Sequence, residues 1–260
     1  MRVLAIGDIV GRAGRQALTA LLPDLRTLHE VDYVIANGEN AAAGKGITPR
    51  IAQELFAAGV DVITGGNHTF AVKEIEAVID HEPRLLRPAN YPVAAPGHGM
   101  VTVGRLTVIN LIGRTFMQPV DCPFRTVDTL LETVPAGTVV VVDMHAEATS
   151  EKVAMGWYLD GRVAAVVGTH THVPTADARL LPRATAVVTD LGMTGAVDSI
   201  IGDDVAAVLR RFLTAMPTRL TPAEGRTVIG SVLIEIDEGS GRATDIRRLD
   251  PVYEPYAEHR

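Results

Sequence analysis

Cysteine is almost absent from this chain of 260 residues, in which Cys122 is the single example. No disulfide can therefore form within the chain, and a reducing compartment is the expected setting. The same scarcity argues against a structural zinc site built from thiolates. We expect Cys122 to be a small buried residue rather than a nucleophile.

Long apolar runs and an excess of positive charge are also lacking. No segment approaches the roughly 20 apolar residues of a membrane span, and the apolar run at the N-terminus, interrupted by Asp8, is too short for a signal peptide. The formal net charge of −7 argues against a broad nucleic-acid face, but a small phosphorylated ligand remains compatible if a metal supplies positive charge. We expect a soluble cytoplasmic protein with no membrane partner, and a homo-oligomer is compatible with the sequence.

Short β-branched runs alternate with amphipathic stretches along the chain, which indicates an α/β protein. Helices are predicted over 15–29, 48–59, 71–81 and 202–216. Strands are predicted over 2–7, 32–37, 60–66, 138–144, 162–168 and 184–192, with hairpins over 100–112 and 227–249. The first part follows a βαβα order and the later part adds antiparallel strands. We therefore expect one α/β domain over 1–260, with two mixed sheets packed between helices.

Carboxylate, amide and imidazole side chains follow five of the predicted strands. They are Asp8, Glu39, Asn40, Asn67, His68, His145, His170 and His172. Ligands of open α/β sheets lie outside the carboxyl ends of the strands, so one edge of a sheet would bring these side chains together. Each alone has an ordinary explanation as a turn residue or a buried histidine. The other histidines, His29, His81, His98 and His259, follow no such strand and are predicted to be surface or packing residues.

The mixture of side chains indicates metal binding. Imidazole, carboxylate and amide groups suit Fe, Mn or Zn, and the number of groups exceeds what one ion needs. Two ions about 3.5–4 Å apart that share a carboxylate would use them all. In an extended segment, residues i and i+2 face the same side with Cα atoms roughly 6.6 Å apart. His170 and His172 are therefore expected to ligate different ions of a binuclear centre.

The order of these motifs resembles that of the calcineurin-like metallophosphoesterases. The matching segments are GDIV at 7–10, GENA at 38–41, GGNHT at 65–69, DMHAE at 143–147 and GTHTH at 168–172. Two positions depart from that pattern, since Val10 replaces a histidine and Glu39 replaces the bridging aspartate. With these two departures the chain closely resembles the YmdB-type bacterial phosphodiesterases. The resemblance extends to four further segments, RPANYP at 87–92, GRTFM at 113–117, DCPF at 121–124 and GMTGAVDSIIG at 192–202.

This resemblance implies a metallophosphoesterase-like four-layer sandwich and hydrolysis of cyclic nucleotides, both 2′,3′-cyclic nucleotides and 3′,5′-cyclic AMP. It also implies which residues hold the metals, with Glu39 as the bridge. One ion would take Asp8, Glu39, Asn40 and His172, and the other would take Glu39, Asn67, His145 and His170. His68 would be the proton donor. With Asn40 in place of an imidazole, the first ion has oxygen-rich ligands, which favours Fe or Mn over Zn.

These assignments predict a mechanism for a small phosphodiester substrate. The two metals would lower the pKa of a bridging water, and the resulting hydroxide would attack phosphorus in line. A ribose alkoxide leaves poorly, so a general acid is needed on the opposite side. Arg114 follows a strand-like run and is a candidate for contacting the substrate, although a solvated surface arginine is an equal alternative.

Three other functions compete with this hypothesis. A dinucleotide-binding oxidoreductase is suggested by GDIVGRAGR at 7–15, but the glycine spacing is not GxGxxG and Asp8 would repel a pyrophosphate. A non-catalytic regulator that uses the metals to hold a nucleotide would need the same ligands. A phosphomonoesterase or protein phosphatase is the third alternative, and preference for monoesters over diesters would support it.

Overall fold

The computed structural model describes residues 1–255 and contains five α-helices in that range. The helices are α1 (Gly11–Leu28), α2 (Pro49–Ala57), α3 (Pro123–Leu131), α4 (Thr149–Leu159) and α5 (Val205–Thr214). The strands are β1 (Arg2–Ile6), β2 (Asp8–Ile9), β3 (Tyr33–Asn37), β4 (Val62–Thr64), β5 (Met100–Val103), β6 (Leu106–Ile112), β7 (Val139–His145), β8 (Ala165–Thr169), β9 (Arg179–Leu180), β10 (Ala186–Val188), β11 (Met193–Ala196), β12 (Thr227–Ile229), β13 (Ser231–Asp237), β14 (Arg242–Arg248) and β15 (Val252–Tyr253).

Two large mixed sheets form the centre of the molecule. The first has the strand order β14-β13-β1-β3-β4, and the second has the order β5-β6-β7-β8-β10-β9. Each sheet has a parallel block, β1-β3-β4 in the first and β6-β7-β8-β10 in the second. Antiparallel strands adjoin the first block on one side and the second block on both sides. This topology agrees with the expectation that the later part of the chain adds antiparallel strands to a parallel arrangement.

Alternation along each strand creates the layers, because successive side chains point to opposite faces of a sheet. In β1, Val3 and Ala5 face a core shared with strands β6, β7 and β8 of the second sheet. The alternate residues Leu4 and Ile6 pack against α1 and α2 on the outer face. On the far side, Val140 and Val142 of β7 pack against α3 and α4. The layers are therefore helix, sheet, sheet and helix, which confirms the expected four-layer sandwich.

A third, smaller sheet was not predicted. It has the strand order β15-β12-β11-β2. The chain passes between this sheet and the first sheet at two glycines. Gly7 separates β1 from β2, and Gly230 separates β12 from β13. The Gly7 amide donates to the Gly230 carbonyl over 2.8 Å, and a Cβ at Gly7 would lie only 1.8 Å from the Gly192 carbonyl oxygen. The first arm of the hairpin predicted over 227–249 is consequently divided into two strands, β12 and β13.

The helix predictions were partly wrong. The segment 71–81 contains only a short 3-10 helix, Lys73–Ala77. Helices α3 and α4 were missed. In α4 the buried positions are Lys152, Met155, Gly156 and Leu159. Because a lysine and a glycine occupy two of these positions, the sequence shows no clear helical pattern of apolar residues. Among the described helices, none is long and apolar enough to cross a membrane.

Candidate metal centre

The ring of His145, at the carboxyl end of β7, lies at the centre of the candidate site. Its Nε2 atom is 3.1 Å from Glu39 Oε1, 3.0 Å from Asn67 Oδ1 and 3.1 Å from His170 Nδ1. One ring nitrogen carries at most one proton and cannot satisfy three such neighbours. Ligand atoms of Glu39, His145 and His170 all lie within 4.8 Å of one another, which is the arrangement expected of a cation site.

The other ring nitrogen of His145 determines its tautomer. Nδ1 lies 2.9 Å from Thr169 Oγ1, and that hydroxyl donates its single proton to Asp143 Oδ1 over 2.7 Å. Thr169 must therefore accept from the Nδ1–H group of His145, so Nε2 is the ring nitrogen that can release its proton and direct a lone pair into the site. Asp143 also accepts from Thr64 Oγ1 over 2.5 Å.

A second set of donors lies beside the first. Asp8 Oδ1 is 3.9 Å from His145 Nδ1 and 3.9 Å from His172 Nε2. Asp8 Oδ1 and Asn40 Oδ1 are both buried and have no hydrogen-bond partner. An unpaired buried oxygen is costly, and a bound cation would remove that cost. The residues present therefore fit a metal, and carboxylate, amide and imidazole are the donors that Fe, Mn or Zn accept.

Both carboxylate oxygens of Glu39 make contacts within the candidate site. Its Oε1 atom faces His145, and its Oε2 atom accepts from the His68 amide over 2.8 Å. Backbone at Gly66 approaches the same carboxylate so closely that a Cβ there would lie 2.4 Å from Glu39 Oε2 and 2.3 Å from His145 Nε2. Glycine is therefore required at this position for the carboxylate and the imidazole to meet.

Protonation of the metal-free site follows from burial and from these contacts. Burial opposes charge on His145, but the Glu39 and Asp8 carboxylates outweigh it and raise the pKa of His145 to about 9. Burial would raise the pKa of Glu39, yet the neighbouring His145 charge lowers it to about 2. Burial and the His145 charge lower the pKa of His170 to about 3. Without metal, one proton on His145 therefore occupies the place where a cation fits.

The backbone of the His170–Thr171–His172 segment is not extended, so that expectation was wrong. His170 and His172 have φ angles of 99° and 66°, a left-handed conformation that is strained for residues with a Cβ. The His170 amide donates to Asp8 Oδ2 over 3.1 Å, and the His172 carbonyl accepts from the Met193 amide over 3.1 Å. From this bent backbone, the His170 ring reaches His145 and the His172 ring faces Asp8.

An open cleft of about 340 Å³ lies over these residues. Its lining residues are Glu39, Asn40, Gly44, Lys45, His68, Glu147, His170, Thr171, His172, Ile201 and Asp203. His68 is half-buried there, and burial lowers its pKa below the usual histidine value. Lys45 was missed by the sequence reasoning, although it lies in the glycine-rich loop that follows Glu39 and Asn40.

Other candidate residues lie elsewhere. Arg114 lines a different cleft, where its guanidinium lies 3.4 Å from Cys122 Sγ. Cys122 is half-buried at the start of α3, where it was expected to be buried, because Pro123 rather than the cysteine packs into the protein. His29 is partly buried, and His81 and His98 are exposed. None of these three lines the 340 Å³ cleft over the candidate site. His259 lies outside the described residues.

The layered fold and the cluster of histidines, carboxylates and amides at the strand ends are those of a metallophosphoesterase. Comparison with known proteins identifies the family more closely, because the model of the YmdB-like protein family matches residues 4–249. The chain therefore belongs to the YmdB-like family. It is 50% identical over 254 residues to the 2′,3′-cyclic-nucleotide 2′-phosphodiesterase of Bacillus subtilis (strain 168), with 96% of each chain covered.

Two solved structures share the fold over nearly the whole chain. A hypothetical protein from Thermus thermophilus aligns with a TM-score of 0.90 and 46% identity, covering 98% of this chain and 99% of that one. A protein described as a novel phosphatase from Mycoplasma pneumoniae aligns with a TM-score of 0.91 and 31% identity, covering 98% and 95%. The predicted metallophosphoesterase-like α/β fold is thereby confirmed.

Proposed function

We propose that this protein is a binuclear metal-dependent phosphodiesterase that opens cyclic nucleotides, with 2′,3′-cyclic nucleotides and 3′,5′-cyclic AMP as substrates. The observation that carries the proposal is the convergence of Glu39, Asn67 and His170 on the Nε2 atom of His145. The half-identical Bacillus subtilis relative, whose name specifies 2′,3′-cyclic nucleotides, supports the choice of substrate.

The proposed ligands divide into two sets that share Glu39. Asp8, Glu39, Asn40 and His172 hold one ion, and Glu39, Asn67, His145 and His170 hold the other. The two unpaired buried oxygens, on Asp8 and Asn40, support the first set. Oxygen donors dominate that set, which favours Fe or Mn over Zn. Such ions supply an activated water as nucleophile and neutralise charge on the phosphate oxygens.

His68 is the proposed proton donor to the leaving ribose oxygen. Its backbone is fixed beside Glu39, and its ring lines the cleft. Burial lowers its pKa, so the free protein holds His68 neutral near pH 7. The negative charge of a bound phosphodiester favours the protonated ring and restores the donor when substrate is present. Lys45, the lysine in the cleft lining, is proposed to contact a non-bridging phosphate oxygen.

The experiment compares substrates on protein loaded with Mn²⁺ or Fe²⁺. We expect multiple turnovers with 2′,3′-cyclic AMP and 3′,5′-cyclic AMP, and much slower release of phosphate from AMP. A Glu39→Ala variant is the control for contaminating activity. Two bound ions with no turnover on any diester would instead indicate a non-catalytic nucleotide-binding regulator.

A phosphomonoesterase is the second candidate function. The Mycoplasma pneumoniae structure described as a phosphatase favours it, at 31% identity over 98% of this chain. The same substrate comparison separates the two functions, because a phosphomonoesterase would release phosphate from AMP faster than it opens either cyclic nucleotide.

A further inference from the structure

A buried ion pair lies beneath the site and has no part in the proposed chemistry. Lys152 of α4 and Asp190, which follows β10, are 5% and 1% exposed, and Lys152 Nζ lies 2.7 Å from Asp190 Oδ2. Removing two charges from water is expensive, so such a pair is weak evidence for a stabilising role by itself. Its other contacts indicate what it does.

Asp190 holds the residue between the two histidines of the bent segment. Its Oδ2 atom accepts from the Thr171 amide over 3.1 Å and from the Thr171 hydroxyl over 2.7 Å. Its Oδ1 atom accepts from the Gly192 amide over 2.8 Å. With Lys152, four donors surround one carboxylate, which is therefore fixed in orientation.

Lys152 is itself held tightly. A Cβ at Gly168, near the end of β8, would lie 2.9 Å from Lys152 Cδ, so the lysine stem passes directly against the strand that leads into the histidines. The ammonium group lies 2.7 Å from the carboxylate at one end of this stem, and α4 holds the other end. The pair consequently connects α4 to the backbone at Thr171.

Thr171 lies between two strained residues. His170 and His172, with φ angles of 99° and 66°, adopt a conformation that neighbouring contacts must impose. We propose that the Lys152–Asp190 pair, through Thr171, is the positioning device that keeps His170 and His172 in this conformation and so prepares both for metal binding. This inference rests on the proposed function for the assignment of the histidines as ligands, and it adds three positioning residues to the site.

The test measures Mn²⁺ affinity, by electron paramagnetic resonance and calorimetry, in Asp190→Asn and Thr171→Val. Loss of a group that orients metal ligands typically weakens metal affinity about 10–100-fold. We expect Asp190→Asn to lower Mn²⁺ affinity within that range. Thr171→Val should lower it about tenfold, because this variant leaves Lys152 and Asp190 paired. Thr171→Ser keeps the hydroxyl and should bind Mn²⁺ like the wild type.

Thr185→Val is the matched control, because Thr185 is a fully buried threonine near the opposite end of β10. Its hydroxyl donates to the Val163 carbonyl over 2.7 Å, away from the histidines. This variant should lose thermal stability without losing Mn²⁺ affinity. Wild-type affinity in both Thr171→Val and folded Asp190→Asn, or equal loss in Thr185→Val, would overturn the proposal. A wild type that binds Mn²⁺ but hydrolyses no diester would contradict the proposed function alone.

Discussion

At the scale of single residues, the proton on His145 determines how the metal-free site responds to pH. Its pKa is raised to about 9, whereas those of Glu39 and His170 lie at about 2 and 3, so of these three residues His145 is the one that must lose a proton when metal binds near neutral pH. Apparent Mn²⁺ affinity should therefore rise up to tenfold per pH unit from pH 7 and level off above pH 9. Calorimetry in buffers of different ionisation enthalpy will count the released protons. Affinity that falls with rising pH would contradict this protonation state.

The same proton affects the stability of metal-free protein. Because the folded-state pKa of His145 exceeds its ordinary value of 6.5, the stabilisation is fully present below pH 6.5 and is lost as pH rises through 9.

Glu39 and His145 differ in how many ions they touch in the proposed centre. Glu39→Ala should lower occupancy of both positions because it removes the shared carboxylate, whereas His145→Ala should mainly empty one. Metal analysis of the purified variants measures this difference, with circular dichroism to check the fold. A Glu39→Ala protein that retains both ions and full activity would rule out the bridging role.

His68 can be tested through the chemistry of the leaving group. p-Nitrophenolate leaves without much help, whereas a ribose alkoxide needs a proton, and a general acid contributes roughly 10²–10⁴-fold. His68→Ala should therefore keep its metals and lose far more rate on 2′,3′-cyclic AMP than on bis-p-nitrophenyl phosphate. Equal losses on the two substrates would assign His68 to phosphate binding instead.

Residues at strand ends could be predicted from sequence because an Asp, Glu, Asn or His after an apolar run is visible as a pattern. Supporting residues were harder to detect. Asp143 lies inside the apolar run of β7 and Lys152 inside α4, so their roles depend on partners distant in sequence, Thr169 and Asp190. Asp190 itself follows the β10 run and could have been recognised by the rule that identified Asp8.

At the scale of elements, helix α2 shows how a local signal can define a helix start. The helix predicted over 48–59 begins at Pro49, directly after Thr48, whose hydroxyl accepts from the Ile51 amide over 3.2 Å. The bent histidine segment could not be predicted in this way, because its left-handed angles are imposed by contacts with distant residues such as Asp8 and Asp190. Such long-range contacts produce no periodic pattern in the sequence.

The cap of α2 leads to a prediction about stability alone. Thr48→Ala removes one hydrogen bond at the helix N-terminus, which typically costs about 1 kcal/mol and lowers Tm by roughly 2–4 °C in a protein of this size. Thr48→Ser should restore most of the loss. Calorimetric unfolding measures the effect, and Mn²⁺ affinity should not change. An altered affinity would show that α2 is coupled to the metal centre.

At the scale of the whole molecule, the candidate site joins the two large sheets. Glu39 and Asn67 follow strands β3 and β4 of the first sheet, and Asp8 begins β2 directly after β1 and Gly7, whereas His145 ends β7 and His170 follows β8 of the second sheet. Direct hydrogen bonds already cross this boundary, since Thr64 donates to Asp143 over 2.5 Å and the Gly65 amide donates to Asn110 Oδ1 over 2.9 Å. Bound metals would add ligand bonds from both sheets at the same edge.

Metal binding should consequently stabilise the whole fold rather than one loop. A ligand at 100 times its Kd adds about 2.7 kcal/mol per site when it binds only folded protein, so Tm should rise steadily with Mn²⁺ concentration and fall on chelation. Glu39→Ala provides the matched comparison, because it lacks the carboxylate shared by both sets of ligands and should show little Mn²⁺-dependent change. Differential scanning calorimetry at several Mn²⁺ concentrations measures both proteins. A wild-type Tm that is insensitive to Mn²⁺ while the ions are bound would mean that the unfolded chain binds them as tightly as the folded protein does.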